Sequence, residues 1–187
     1  MPVRFEEYIK NIDVERLLKE LGVSDAETLA KTVQHFSVKE GAKRDRIVVD
    51  YFGECNINSL VDTVTDFLLS PPKMATGASV LDVGAGSGFF TTRVAQKTRV
   101  AIPEAQFYAM DITPAMLQSL AEKNADIIPF LGVAENIEES VNHARRFMKI
   151  PAKFDAVFSL SCCITVPSRQ KCSRASRPFS RETEKPL

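Results

Sequence analysis

The sequence predicts an α/β protein in which a helical N-terminal region precedes a parallel sheet with helical crossovers. Three observations lead there. Up to residue 72 the apolar residues recur with helical period. After Pro71-Pro72 short apolar runs of strand length alternate with amphipathic stretches, and the first of those runs ends in a glycine-rich loop that opens a helix.

Asp13 is placed to cap a helix whose Val14, Leu17, Leu18 and Leu21 fall on one face, and Gly22 ends it as a C-terminal glycine does. Ser24-Asp25-Ala26-Glu27 reads as a capping box, with the serine hydroxyl and the glutamate each satisfying an orphan amide. Leu29, Val33 and Phe36 follow as the buried stripe. A third helix is expected near residues 45–52. A fourth, over 59–69, would turn Leu60, Val64, Phe67 and Leu68 inward before the two prolines forbid continuation.

Beyond the prolines, Ser79–Val83 is the first strand and residues 89–97 the helix behind it. The second strand is expected over 106–110, and Thr113-Pro114 opens the next helix with a capping residue and a proline at the first helical position. Ile127–Leu131 is the third strand, 138–149 a further helix, and 154–160 a fourth strand, apolar on both faces as internal parallel strands are.

Past Val166 the pattern breaks. From Pro167 the chain is rich in serine, arginine and proline, with six Lys/Arg against two Asp/Glu and no apolar periodicity, so a disordered basic tail is expected there. The organisation expected is therefore a helical cap region over 1–72, a sheet domain over 73–166 and a tail over 167–187.

Composition bounds the function. The chain has 187 residues, 44% of them hydrophobic and 26% charged, which suits a folded globular protein. Its formal net charge of zero argues against general affinity for nucleic acid or acidic membranes. Acids stand in Met1-Pro2-Val3-Arg4-Phe5-Glu6-Glu7 where a leader would carry an apolar run, and no apolar stretch is long enough to span a bilayer. A cytoplasmic location is the expectation. Cys55, Cys162, Cys163 and Cys172 form no CxxC pair and have no histidine at ligand spacing, so reduced structural thiols are expected rather than a metal site. His35 and His143 are isolated, the latter on a charged helix beside Arg145 and Arg146 where a solvated face is expected.

The segment Val80-Leu81-Asp82-Val83-Gly84-Ala85-Gly86-Ser87-Gly88 carries the chemistry. A glycine loop between strand and helix lets backbone approach a ligand without Cβ obstruction, and the spacing selects the ligand. The dinucleotide pattern G-x-G-x-x-G needs a third glycine at position 89, which is Phe89, and no lysine follows to make a phosphate loop.

Asp82-x-Gly84-x-Gly86-x-Gly88 resembles the first motif of class I S-adenosylmethionine-dependent methyltransferases. Three further segments follow in the family's order. Tyr108-Ala109-Met110-Asp111-Ile112-Thr113-Pro114 is similar to the end of the second strand in the small-molecule branch, where the acid accepts hydrogen bonds from ribose hydroxyls. Gly132-Val133-Ala134-Glu135 occupies the place of the adenine-recognising G-D-A-E segment. The family's aspartate is Val133 here, and Glu135 is the acid that remains. Phe154-Asp155-Ala156-Val157 resembles the start of the fourth strand, whose far end borders the acceptor pocket, with Ser159, Leu160 and Ser161 as candidates.

The resemblance implies a Rossmann-like, doubly wound parallel sheet of about four strands in the order 3-2-1-4, with S-adenosyl-L-methionine as cofactor and a small-molecule methyl acceptor as partner. The cofactor-binding residues it implies are Asp82, Gly84, Ala85, Gly86, Gly88, Asp111, Ile112, Ala134, Glu135 and Ser159. No catalytic residue is nominated, because the need for a general base depends on the acceptor. The Asn/Asp-Pro-Pro-Tyr tetrapeptide of nucleic-acid amino methyltransferases is absent, which disfavours those substrates. Tyr51 is a candidate lid from the N-terminal helices, with a core position as the plainer expectation. The family's sheet has seven strands in the order 3-2-1-4-5-7-6, of which four are recognised here, so a truncated or frame-shifted product is expected. On that expectation the edge of the fourth strand is open to pairing, as in a homodimer, and the alternative function is a non-catalytic cofactor-binding fragment.

Overall fold

In the computed structural model, which describes residues 5–10, 12–35, 38–71 and 74–160, four parallel strands form one sheet. They are β1 (Ser79–Val83), β2 (Gln106–Asp111), β3 (Ile127–Leu131) and β4 (Ala156–Phe158), in the order β3-β2-β1-β4. From β1 the chain steps outward to β2 and β3, then returns to place β4 on the other side of β1. The order therefore reverses at β1, where α/β sheets form a crevice at the carboxyl ends of their strands. Val80, Leu81, Phe107, Ala109, Phe130 and Leu131 are wholly buried, so the sheet is covered on both faces and its apolar strands provide the centre of the core. Each fully buried large side chain stabilises the fold by about 1.5–3 kcal/mol relative to exposure.

The helices are α1 (Phe5–Lys10), α2 (Val14–Glu20), α3 (Ala26–Gln34), α4 (Val38–Leu69), α5 (Phe89–Ala101), α6 (Pro114–Lys123) and α7 (Ile137–Ala144), with a 3-10 turn, Ala134–Asn136, leading into α7. Asp13 caps α2, its carboxylate accepting from Arg16 N at 3.0 Å, and Leu17, Leu18 and Leu21 are buried as the periodicity predicts. α4 lies against α5 and α6.

Several local expectations change. The cap of α3 is Asp25 rather than Ser24, its carboxylate accepting from Thr28 N, while Glu27 pairs with Lys31 at 2.5 Å. The charged oxygen one residue later in the chain takes the orphan amide, so the expected box does not form. The two helices expected over 45–52 and 59–69 are the halves of α4, which bends at Gly53 (φ 70°, ψ 148°) without an intervening loop. Its inward stripe is Ile57, Val61, Thr65 and Leu68. Phe67 is 64% exposed, because the helix is rotated relative to the stripe read from the sequence. β4 is three residues long and pairs only with β1 among the described residues, which leaves Val157 48% exposed instead of internal. His143 is not on a solvated face: it is half-buried between Glu20 and Phe147. Phe36, Pro72, Ser161, the three later cysteines and the tail from Pro167 lie outside the described residues.

Candidate functional site

The glycine loop leaves the carboxyl end of β1 and alternates in exposure. Gly84 and Gly86 are partly open, while Ala85, Ser87 and Gly88 are buried. Backbone bonding explains its shape. The amides of Gly84 and Ala85 both donate to the Met110 carbonyl at 2.8 and 3.0 Å, and that of Gly88 to the Ala85 carbonyl at 2.9 Å. Gly86 donates to Asp111 Oδ2 at 2.8 Å. These four amides are therefore used inside the fold and do not form an anion-binding nest, which distinguishes the loop from a phosphate cradle. At Gly88 the requirement for glycine is steric as well as conformational: φ is 76°, and an added Cβ would stand 2.2 Å from Leu120 Cδ1.

Asp111 closes β2 and ties three segments together. Its second oxygen, Oδ1, accepts from Thr113 N at 2.8 Å, so one carboxylate fixes both the glycine loop and the entry to α6. Thr113 is the cap residue of α6 but makes no side-chain capping bond; Asp111 holds its amide instead. Burial raises the Asp111 pKa above the usual carboxylate value, against the opposing effect of the Thr113 and Gly86 amides.

Asp82 is a different kind of acid. It is 2% exposed on β1 and accepts a 2.6 Å hydrogen bond from the Thr91 hydroxyl. Desolvation pushes its pKa up to about 7, the Thr91 bond opposing and the Asp111 charge adding to the rise. Such a carboxyl holds its proton well above the ordinary carboxylate range, and through Thr91 it fastens β1 to α5.

A cavity of about 350 Å³ opens at the carboxyl ends of β1, β2 and β3. It contains Gly84, Gly86, Asp111, Ile112, Ala134 and Glu135 of the residues named from sequence. Asp82, Ala85 and Gly88 stand behind its wall, and Ser159, exposed after β4, is outside it. The floor is mostly apolar, through Ile112, Met116 and Val133. The amide of Val133, the residue in place of the family's aspartate, donates to the buried Ser140 hydroxyl at 3.0 Å and so serves the fold.

Sequence reasoning missed the opposite wall. Asp25, Thr28, Leu29 and Thr32 line it from α3, and Arg44 joins from α4. The spacing 25, 28, 29, 32 was a legible signal, because those positions share one helical face. Asp45, next to Arg44, accepts a hydrogen bond from the Ser87 hydroxyl and pairs with Lys123 Nζ at 2.7 Å, joining α4 to the glycine loop and to α6. Tyr51 is neither core nor part of the cavity wall: it is 82% exposed and packs edge-on against Phe52. No group of three or more metal-ligating side chains occurs among the described residues, and no described helix is long and apolar enough to cross a membrane.

Among solved structures, the chain is similar to a Methanococcus maripaludis protein assigned to the S-adenosyl-L-methionine-dependent methyltransferases. Identity is 14% and the TM-score 0.48, over 74% of this chain and 56% of that one. This chain thus spans little more than half the length of that relative. It is also similar to the plantazolicin methyltransferase BpumL, solved with a desmethyl analogue and S-adenosylhomocysteine, at 13% identity and a TM-score of 0.38, over 89% of this chain and 68% of that one. No curated protein matches the sequence. The methyltransferase domain family matches residues 80–181, more than half of the chain, and extends past the boundary at 166 that composition suggests. With its strand order and its glycine loop after β1, the chain belongs to the class I, Rossmann-like methyltransferase family.

Proposed function

We propose that the chain binds S-adenosyl-L-methionine in the cavity at the carboxyl ends of β1 to β3 and transfers its methyl group to a small-molecule acceptor. One observation carries this reading: six residues named from three separate sequence segments converge on a single cavity. Its volume falls within the range of about 300–1,000 Å³ common for small-ligand sites, and its lining combines an apolar floor with a few polar groups.

The residues fit the cofactor better than they fit a dinucleotide. A pyrophosphate needs amides aimed at it, and those of Gly84, Ala85, Gly86 and Gly88 are already engaged. A nucleoside without phosphate needs apolar walls for the base and an acceptor for the ribose hydroxyls. Ile112, Met116 and Val133 offer the first. Asp111 offers the second, its carboxylate standing at the cavity and held in place by the Gly86 and Thr113 amides. Gly84 and Gly86 permit close approach on the strand side. When bound, the cofactor supplies an electrophilic methyl group on its sulfonium. The chain's own part is to orient the ligand and exclude water, which needs no general base unless the acceptor holds a proton that must leave.

A small-molecule acceptor is the reading that agrees with zero net charge and with the missing Asn/Asp-Pro-Pro-Tyr element. The side of β4 that no strand pairs among the described residues favours a second reading, cofactor binding without turnover in a chain that pairs this edge with another copy. Thermal-shift titration with S-adenosylhomocysteine tests the site. At a hundredfold excess over Kd, the melting temperature should rise by about 5–10 °C through mass action on the folded state. No shift at saturation rejects the cofactor site. A shift with no methyl transfer to any acceptor, together with dimer sedimentation, supports the second reading.

A further inference from the structure

The first half of α4 carries a charged side chain on the face that packs inward. Val48, Val49 and Phe52 pack against the core, while Ile47 and Tyr51 stand exposed. Asp45 precedes Val48 and Val49 by one turn and Phe52 by two, so it shares their face, and its side chain is 24% exposed. Packing α4 against α5 and α6 would be served by an apolar residue at this position. A carboxylate at a helix interface costs desolvation and is kept there only with specific partners.

Those partners lie on two other elements. Asp45 Oδ1 accepts from the Ser87 hydroxyl in the glycine loop, and Oδ2 pairs with Lys123 Nζ at 2.7 Å at the end of α6. Ser87 is 8% exposed, and within 84–88 it is the one residue whose side chain hydrogen-bonds. It stands between Gly86 and Gly88, at φ 57° and 76°, where the absence of a Cβ leaves the backbone free to take other conformations. The shape of the loop is therefore set by its ties. From the strand side, Met110 and Asp111 of β2 hold the amides of Gly84, Ala85 and Gly86. From the helix side, Asp45 holds the Ser87 hydroxyl.

We infer that Asp45 is a positioning residue of the cofactor site, holding Gly86 in its binding arrangement through the Ser87 hydroxyl. The inference rests on the cofactor reading above. Neither Asp45 nor Ser87 lines the cavity, whereas Gly86, next to Ser87 in the chain, does. Without the Asp45 acceptor the buried Ser87 hydroxyl is left unsatisfied, and a loop flanked by glycines turns to satisfy it elsewhere. A ligand that binds one loop arrangement then loses affinity in proportion to the fraction of molecules that still hold it.

Calorimetric titration of the full chain with S-adenosylhomocysteine tests this, with the melting temperature of each variant measured alongside. Asp45→Ala and Ser87→Ala should each weaken binding by about fivefold, the factor that one ordinary hydrogen bond is worth. The double variant should bind no more weakly than either, because both changes remove the same tie. Asp45→Asn keeps an oxygen for the Ser87 hydroxyl and should bind within about twofold of the unaltered chain. Its melting temperature should nevertheless fall with that of Asp45→Ala, since both lose the charge pair with Lys123. A merely structural Asp45 would instead make affinity follow stability across the series. Unchanged affinity in Ser87→Ala, additive losses in the double variant, or Asp45→Asn binding as weakly as Asp45→Ala overturns the inference and leaves the cofactor site standing. If Asp45→Ala does not fold, Ser87→Ala and Asp45→Asn decide: a loss in the first with retention in the second supports the tie, and any other pairing overturns it. No binding by the unaltered chain removes the cofactor reading, and the inference with it.

Discussion

Replacing Gly88 with alanine puts a methyl group 2.2 Å from Leu120 Cδ1, 3.0 Å from its Cγ and 3.2 Å from its Cδ2. Two costs arise from that geometry. A non-glycine residue at φ 76° loses about 1–2 kcal/mol in the left-handed region. The contact with Leu120 adds about 1–3 kcal/mol of overpacking, because Leu120 is wholly buried and has no solvent into which to turn. The sum is about 2–5 kcal/mol, a large part of the stability of an ordinary domain. Urea denaturation of Gly88→Ala, Leu120→Ala and the double variant separates the two costs. Leu120→Ala alone should destabilise by about 2–5 kcal/mol through lost burial and the cavity left behind. In that background the overpacking is relieved, so Gly88→Ala should cost only the backbone strain, about 1–2 kcal/mol. The pair should thus be non-additive by the overpacking cost. Strict additivity, or a Gly88→Ala cost below about 1 kcal/mol, would refute the argument that Leu120 is what excludes a side chain at this position.

Two other substitutions probe neighbouring groups. Gly86→Ala should behave in the opposite sense to Gly88→Ala: no atom stands within 4 Å of its added Cβ, so stability falls by only the left-handed strain of about 1–2 kcal/mol, but S-adenosylhomocysteine binding measured by calorimetry should weaken at least tenfold, because Gly86 lines the cavity. Asp82 has a folded pKa raised to about 7 from an unfolded value near 3.8, so the folded state binds the extra proton between those values. Its contribution is full below about pH 4, declines as pH rises, and is lost above about pH 7, by on the order of 4 kcal/mol. Asp82→Asn should flatten that part of the stability-pH profile, seen in denaturation midpoints at pH 5 and pH 8; an unchanged slope would show that Asp82 is ionised throughout.

Much of this architecture was legible in the residues because it is local. The bounds of β1 and β3 followed from short apolar runs between turn residues, and those of α2 from Asp13 and Gly22. Asp82-x-Gly84-x-Gly86-x-Gly88 and Asp111 pointed to one cleft because a glycine loop at the end of a parallel strand has few places to go. Where competing local signals were nearly equal, the sequence was ambiguous. Ser24 and Asp25 could each cap α3, and the rotation of α4 depends on what it packs against, which left Phe67 outside and Ile57 inside.

What the sequence alone determined is the order of elements and the residue types around the glycine loop, since both follow from periodicity and backbone conformation within a few neighbours. Only the tertiary structure decided how those residues divide their work. It put Asp82 behind the wall with Thr91 and Asp111 at the cavity, used the loop's amides internally, and brought Thr28 and Thr32 to the same cavity as Asp111 and Val133. Those assignments depend on burial and on contacts between distant segments, which no local pattern encodes.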